Sequence, residues 1–271
     1  MNRKDVLKGF LYILPILVVL AFLDFYPIAY SIYISFTNFN LYHFFNYKFI
    51  GLSNYINVIQ TGMLTTLLIN TVIWSAGSIA LMAPVGFILA LIMNQRGLRG
   101  KVGFRTAILF RWAFPAFLTI LVWAGMLDYN LGIVNKILTS IGLPKVYWLG
   151  TPSTAMLSLI LVNIWLSFPY YTYVFTSAIQ SIPSEFYEAS EVDGYGIFGK
   201  LRYVIFPMLS RQIAFITVFG FIFTWNNFYV PFLLTGGGPG ESTQILITYS
   251  YYEAFSYMQF GIGAAVAEKS I

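Results

Sequence analysis

Four of the ten acidic side chains in this 271-residue chain fall within one short stretch, EFYEASEVDG: Glu185, Glu188, Glu191 and Asp193. Carboxylates at such density invite two chemistries, general acid–base catalysis and a cation site. The spacing favours neither. Ser184 stands where a helix cap would stand and Gly194 where a left-handed stop would. On a helix between them the acids spread around the axis instead of converging. No other cluster offers itself. The chain has a single histidine, His43, and no cysteine, which removes thiolate and multi-histidine metal sites and leaves no nucleophile–base pair. The glycine-rich TGGGPG at 235–240 lacks the Lys-Ser/Thr that follows in a nucleotide-binding loop. The sequence points away from an enzyme and asks for no metal or cofactor.

The elements around this polar block are apolar. The chain is 58% hydrophobic and only 9% charged, against about 25% charged in soluble domains, which places it in a membrane. Apolar runs at about 9–36, 64–93, 104–127, 154–180 and 212–234 are each long enough to cross a bilayer. The first is too long for a signal-peptide core. A last run, FGIGAAVA, has eight residues, too few to span. The expected fold is an all-α polytopic transmembrane helical bundle with five full spans and a truncated sixth. Asp24 inside the first run is expected near the interface beside Tyr26, and Arg111 inside the third is expected to snorkel to the nearer surface. Basic residues gather before the first span (Arg3, Lys4, Lys8), after the second (Arg96, Arg99, Lys101, Arg105) and after the fourth (Lys200, Arg202, Arg211). That asymmetry predicts a cytoplasmic N-terminus and a cytoplasmic 185–207 block. It also accounts for the net charge of +5 without nucleic acid.

The block itself reads as helix, turn and return. Pro183 closes the fourth helix, a short helix covers 185–193, and Pro207 turns the chain back toward the membrane. Phe186, Ala189 and Ser190 share one helical face. A small-residue patch flanked by an aromatic and acids suits a groove on another protein; a solvated connector fits the spacing equally. Polar residues inside the spans raise a second question. Asn163, Ser167 and Tyr170 can share a face, and Trp225, Asn226 and Asn227 follow one another in the fifth run. Aromatic faces with amides and hydroxyls suit a sugar path. The same residues also suit helix–helix hydrogen bonds and an interfacial aromatic belt.

EASEVDG followed by FGKLRYVIFP resembles the signature loop of binding-protein-dependent ABC importer permeases, with Glu188, Ala189, Asp193, Gly194 and Pro207 in place and Ser190 where that loop has alanine. FPAFLTILVWAGMLDYNLGIVNKIL (114–138) and the stretch from WLGTPS into SIPSEFYEAS are similar to the carbohydrate and glycerol-phosphate branch. FTWNNFYVPFLLTGGGPGESTQIL resembles its maltose-permease-like member. The resemblance implies a type I ABC importer permease, usually of six helices. It implies an N-terminal helix and external loop over 1–62 and a core over 63–271 that includes a coupling loop at 183–210. In that loop Glu185, Phe186, Glu188, Ala189, Ser190, Asp193, Gly194 and Pro207 would form the surface that docks into a cytoplasmic ATPase subunit. The implied partners are two ATPase copies, a second permease subunit and an extracytoplasmic solute-binding protein in a prokaryotic inner membrane. The implied solute is a sugar, an oligosaccharide or a glycerol-phosphate-like compound. The rival reading is a self-sufficient secondary transporter or channel. Such proteins carry internal repeats and buried ion-coupling charges, and the sequence displays no repeat and few charges inside its spans.

Overall fold

The computed structural model describes residues 3–95, 97 and 99–268. Arg96 of the orientation argument lies outside them, as do the side chains of Arg3, Lys4 and Lys8. Among the described residues the chain is helical, and the one β-bridge joins Thr37 and Phe49. Hydrocarbon offers no partner for N–H or C=O groups, so apolar runs of this length satisfy them internally as helices. In order, the helices are α1 (Arg3–Leu20), α2 (Tyr26–Ser35), α3 (Ser53–Gln60), α4 (Met63–Asn94), α5 (Lys101–Phe110), α6 (Ala116–Met126), α7 (Ile133–Ser140), α8 (Pro152–Gln180), α9 (Ser184–Val192), α10 (Ile197–Lys200), α11 (Phe206–Trp225), α12 (Tyr229–Leu234), α13 (Leu246–Tyr251) and α14 (Phe260–Ala267). Among the described residues, four continuous helical stretches are long and apolar enough to cross a membrane: Phe10–Ser35, Met63–Asn94, Pro152–Gln180 and Ile197–Trp225. A fifth crossing arises if the pair Lys101–Ala113 and Ala116–Met126 counts as one span.

Two expected spans differ. The third is not one straight helix: its halves meet at 94°. Pro115 has no N–H and disfavours a helical residue before it, so Phe114 is extended (φ −99°, ψ 133°) and the helix breaks there. Arg111 therefore sits in a 3-10 turn at the break, half-buried, and not within a regular helix. The fifth span does not begin at 212. It starts at Ile197 and ends at Trp225, and α12 is a separate short helix. Pro207 lies inside this span and does not turn the chain. A π turn, Leu201–Ile205, precedes it, and Phe206 N–H donates to the Leu201 carbonyl. The helix widens by one residue before the missing proline N–H, so the break that proline usually causes is absorbed.

The chain divides into two compact units, residues 1–67 with 246–271, and residues 68–245. In the first unit α14 packs on α2, α3 and α13. Asn54 of α3 donates from Nδ2 to the carbonyls of Ser35 (2.7 Å) and Thr37 (2.8 Å), satisfying backbone groups where α2 ends. Gly261 is required at its position, because a Cβ would collide with the Thr37 carbonyl oxygen. Asp24 lies in a π turn, Ala21–Phe25, on the exposed surface of the first span.

The second unit is centred on α4, α8 and the Ile197–Trp225 helix. Ile79, Met82 and Ala90 of α4, Tyr171 and Phe175 of α8, and Leu209 and Ile216 of α11 form its buried core. Apolar contact alone gives little drive for helix association in lipid, so close approach at small residues carries the packing. A Cβ at Gly86 would collide with Tyr171 Cβ, and one at Gly220 with the Tyr171 hydroxyl. Trp74, fully buried, donates from Nε1 to the Thr224 carbonyl at 3.0 Å.

Candidate functional site

The polar block folds as its sequence predicts in outline. α8 stops at Gln180, Pro183 is extended (ψ 143°), and α9 runs from Ser184 to Val192. Ser184 is its first helical residue and makes no side-chain capping bond, so the cap position belongs to Pro183. Glu185 lies in the first turn, where the helix dipole favours a carboxylate. At the other end Gly194 adopts φ +76°. Its N–H donates to Glu191 O at 3.1 Å, and Tyr195 N–H donates to Ser190 O at 2.9 Å. This pair of bonds is a Schellman closure, and the left-handed residue it needs is cheapest as glycine.

The helix presents two different faces. Glu185, Phe186, Glu188 and Ala189 are exposed, with Asp193 and Gly194 beyond them. Ser190 is buried, and its Oγ donates to Tyr187 O at 2.6 Å. The three residues expected to share a docking patch are thus split: Phe186 and Ala189 face out, and Ser190 packs inward. Pro207 is exposed on the long helix, fifteen residues after the end of α9, and follows the π turn. Burial pushes the Tyr187 phenol up. Its hydroxyl is occluded and has no hydrogen-bond partner among the described residues.

The helix is braced to the span that follows it. Lys200 Nζ lies 2.7 Å from Glu191 Oε1. The rings of Tyr195 and Tyr203 stack at 5.1 Å, and Gly199 passes so near Tyr195 that a Cβ there would meet its ring at 2.9 Å. Behind α9 lies a cavity of about 520 Å³, lined by Asn94, Gln180, Ile182, Tyr187, Glu191 and Lys200 among others. Gln180 Nε2 donates to Asn94 Oδ1 at 2.8 Å across its rim, joining the ends of α4 and α8. Neither the brace nor the cavity was legible from spacing, although the opposite charges nine residues apart were a usable signal.

The polar residues of the spans are only partly brought together. Asn163 is buried, and its Oδ1 accepts from Asn227 Nδ2 at 3.4 Å. Asn163 Nδ2 is buried with no partner among the described residues. Asn227 Oδ1 also accepts from Val230 N–H at 3.3 Å, at the start of α12. Asn226 bonds only its own helix, to Ile222 O at 3.0 Å, and is exposed. Ser167 and Trp225 are half-buried and Tyr170 is exposed. Among the described residues, no group of three or more His, Asp or Glu side chains is placed to hold a metal ion.

Known proteins resemble this chain along nearly its whole length. It is 35% identical to the galactooligosaccharides transport system permease protein GanP of Bacillus subtilis over 96% of this chain and 66% of that one. It is 32% identical to the maltodextrin permease protein MdxF of the same organism, over 96% and 65%. The chain therefore spans about two thirds of the length of these relatives. With the trehalose/maltose permease protein MalF of Thermococcus litoralis the identity is 31%, over 98% and 90%. The crystal structure of a bacterial ABC transporter that imports the acidic polysaccharide alginate shares the fold, with TM-score 0.82 and 22% identity over 98% of this chain and 91% of that one. The profile of one family, described as the binding-protein-dependent transport system inner membrane component, matches residues 82–267, and the chain belongs to that family.

Proposed function

We propose that this chain is a permease subunit of an ATP-driven importer, forming half of a translocation path for an oligosaccharide. The observation that carries the reading is α9: an exposed face of Glu185, Phe186, Glu188 and Ala189 on a helix held by the Glu191–Lys200 pair to the next span. A loop needed only to connect two spans has no use for such a brace. Membership of a binding-protein-dependent transport family supports the reading, and the sugar permeases among its relatives support the solute class.

The chain supplies no ATP-hydrolysing machinery in this scheme. Two copies of a cytoplasmic ATPase close on ATP, and each receives one coupling helix, from this chain and from a second permease. Motion of α9 passes through the brace into the Ile197–Trp225 helix, and the two permeases rock between inward-open and outward-open forms. A solute-binding protein outside the membrane delivers the sugar. The N-terminus and α9 lie on the cytoplasmic side, as the basic residues suggest. Ser167, Tyr170, Trp225, Asn226 and Asn227 line the solute path, with amide and hydroxyl hydrogen bonds and aromatic faces as its contacts, and the buried Asn163 holds Asn227 beside it.

The test is reconstitution. The complex purified through this chain is placed in proteoliposomes with the binding protein, and uptake of maltodextrin and galactooligosaccharide is followed with and without ATP. Uptake that needs ATP and the binding protein, and that Glu188→Lys abolishes, is the expected result. ATP-independent uptake driven by an ion gradient would replace the proposal with a secondary transporter.

A further inference from the structure

Residues 36–62 join the first span to α4 and hold no acidic side chain and one lysine, Lys48. Phenylalanine, tyrosine and asparagine dominate them. This is the composition of a segment that sits at a membrane–water boundary, where aromatic rings and amides are both accommodated.

The structure gives the segment a sided geometry. On α3, Asn54 and Val58 are buried against the protein. Leu52, Ile56 and Ile59, at i, i+4 and i+7, form an aliphatic stripe on another side and are 59%, 48% and 56% exposed. Ser53, Asn57 and Gln60 repeat with the same spacing beside it and are exposed too. Ahead of α3 the 3-10 turn Leu41–His43 projects Tyr42 and Phe45, 93% and 90% exposed, while Phe39 and Phe44 pack on Phe260. The turn is fixed: Leu41 N–H donates to Met258 O at 3.1 Å, and His43 N–H to Asn40 Oδ1 at 2.9 Å. The projecting rings therefore sit on a held scaffold.

The covering phase follows from the chain's path. The first span has 26 residues, about 39 Å of helix at 1.5 Å per residue, against about 30 Å of hydrocarbon. Its end at Ser35 therefore emerges among the headgroups. The next spanning helix begins at Met63, so both ends of 36–62 are tethered to one membrane face. Exposed apolar side chains stand on both sides of the join, Ile32 and Tyr33 at the end of the first span and Leu41 and Tyr42 in this segment, with the half-buried and buried residues 34–40 between them. We propose that residues 41–60 are an interfacial anchor: the Leu52–Ile56–Ile59 stripe and the Tyr42 and Phe45 rings lie in the headgroup–acyl boundary of the bilayer, Lys48 reaches lipid phosphate, and Ser53, Asn57 and Gln60 face water.

The absence of cysteine makes the test direct. Single variants Tyr42→Cys, Ile56→Cys, Asn57→Cys, Ile59→Cys and Gln60→Cys are spin-labelled in the complete assembly, reconstituted in phosphatidylcholine vesicles. Accessibility to oxygen and to a water-soluble nickel chelate is then compared. All five side chains are exposed, so each label is accommodated on the surface. The expected result is an oxygen-to-nickel ratio several-fold higher at 42, 56 and 59 than at 57 and 60. Equal and high nickel accessibility at all five positions would place the stripe in water and overturn the proposal. Low accessibility to both probes at 56 and 59 would mean that a protein subunit covers the stripe, and would overturn it as well.

Discussion

Lys200 Nζ lies 2.7 Å from Glu191 Oε1, and this contact ties the last turn of α9 to the first turn of the span that follows. The two side chains are 26% and 58% exposed. An ion pair so open to water contributes at most about 1 kcal/mol to stability. Its other effect is geometric: with the Tyr195–Tyr203 stack it sets the position of α9 against the Ile197–Trp225 helix.

The first prediction separates these two effects. Lys200→Ala leaves the thermal unfolding midpoint of the complex within a few degrees of wild type but lowers solute uptake per ATP hydrolysed. Glu191→Lys alone does the same, and the exchange Glu191→Lys with Lys200→Glu restores part of the coupling. Parallel loss of uptake and ATPase activity with no change in their ratio would show that the pair plays no part in transmission.

Gly194 closes α9 at φ +76°. Gly194→Ala costs about 1 kcal/mol through the left-handed backbone, and Gly194→Asn, which tolerates that region better, costs less. The expected readout is faster hydrogen exchange at the Tyr195 amide in the alanine variant, with α8 unaffected.

Gly220 and Tyr171 test the packing of the second unit. Gly220→Ala places a methyl against the Tyr171 hydroxyl, so the expected effect is a destabilisation of about 1–3 kcal/mol, typical of an overpacked core. Tyr171→Phe removes the colliding oxygen and recovers part of it, although Ile79 Cδ1 at 2.8 Å from the new Cβ keeps the relief incomplete. Additive losses in the double variant, measured by thermal unfolding, would contradict the contact.

Asn70 Nδ2 donates to Glu241 O at 3.1 Å and Gln244 O at 3.0 Å, holding the glycine-rich loop to α4. Asn70→Ala removes both bonds, while Glu241 O keeps the one it accepts from Gln244 N–H at 3.1 Å, and costs about 1–2 kcal/mol of local stability. Hydrogen exchange over 236–244 is expected to rise while exchange in α8 stays unchanged.

Glu253 gives the pH dependence of the first unit. Burial pushes its carboxyl above the ordinary range, partly opposed by a hydrogen bond from Tyr249. The folded chain thus holds the proton more tightly than the unfolded one. Its stabilising effect is full below the ordinary carboxyl value and is lost as pH rises through the raised folded value. Glu253→Gln is expected to unfold at a higher temperature than wild type at pH 8, and the two to converge near pH 4, the ordinary carboxylate range.

The sequence determined the membrane class, the approximate spans and the existence of α9. These are properties of the local chain: a run of about 20 apolar residues suffices to span, and a polar block between Pro183 and Gly194 marks where a short helix starts and stops. It also singled out the run Trp225, Asn226 and Asn227 for a solute path or for helix–helix hydrogen bonds, and Asn227 makes such a bond with Asn163. The tertiary structure alone decided which residues face where. Ser190 and Ala189 are adjacent and similar in size, yet one is buried and the other exposed. Pro207 reads as a breaker, yet a π turn one step earlier absorbs it. Pro115 does break its helix, and the 94° that results depends on what packs on either side. α6 carries no polar stripe to mark an inner face, whereas on α4 Thr71, Ser75 and Ser78, at i, i+4 and i+7, mark the buried side. Close contacts such as Gly86 and Gly220 against Tyr171, which join residues far apart in the chain, then set the packing of α4, α8 and α11.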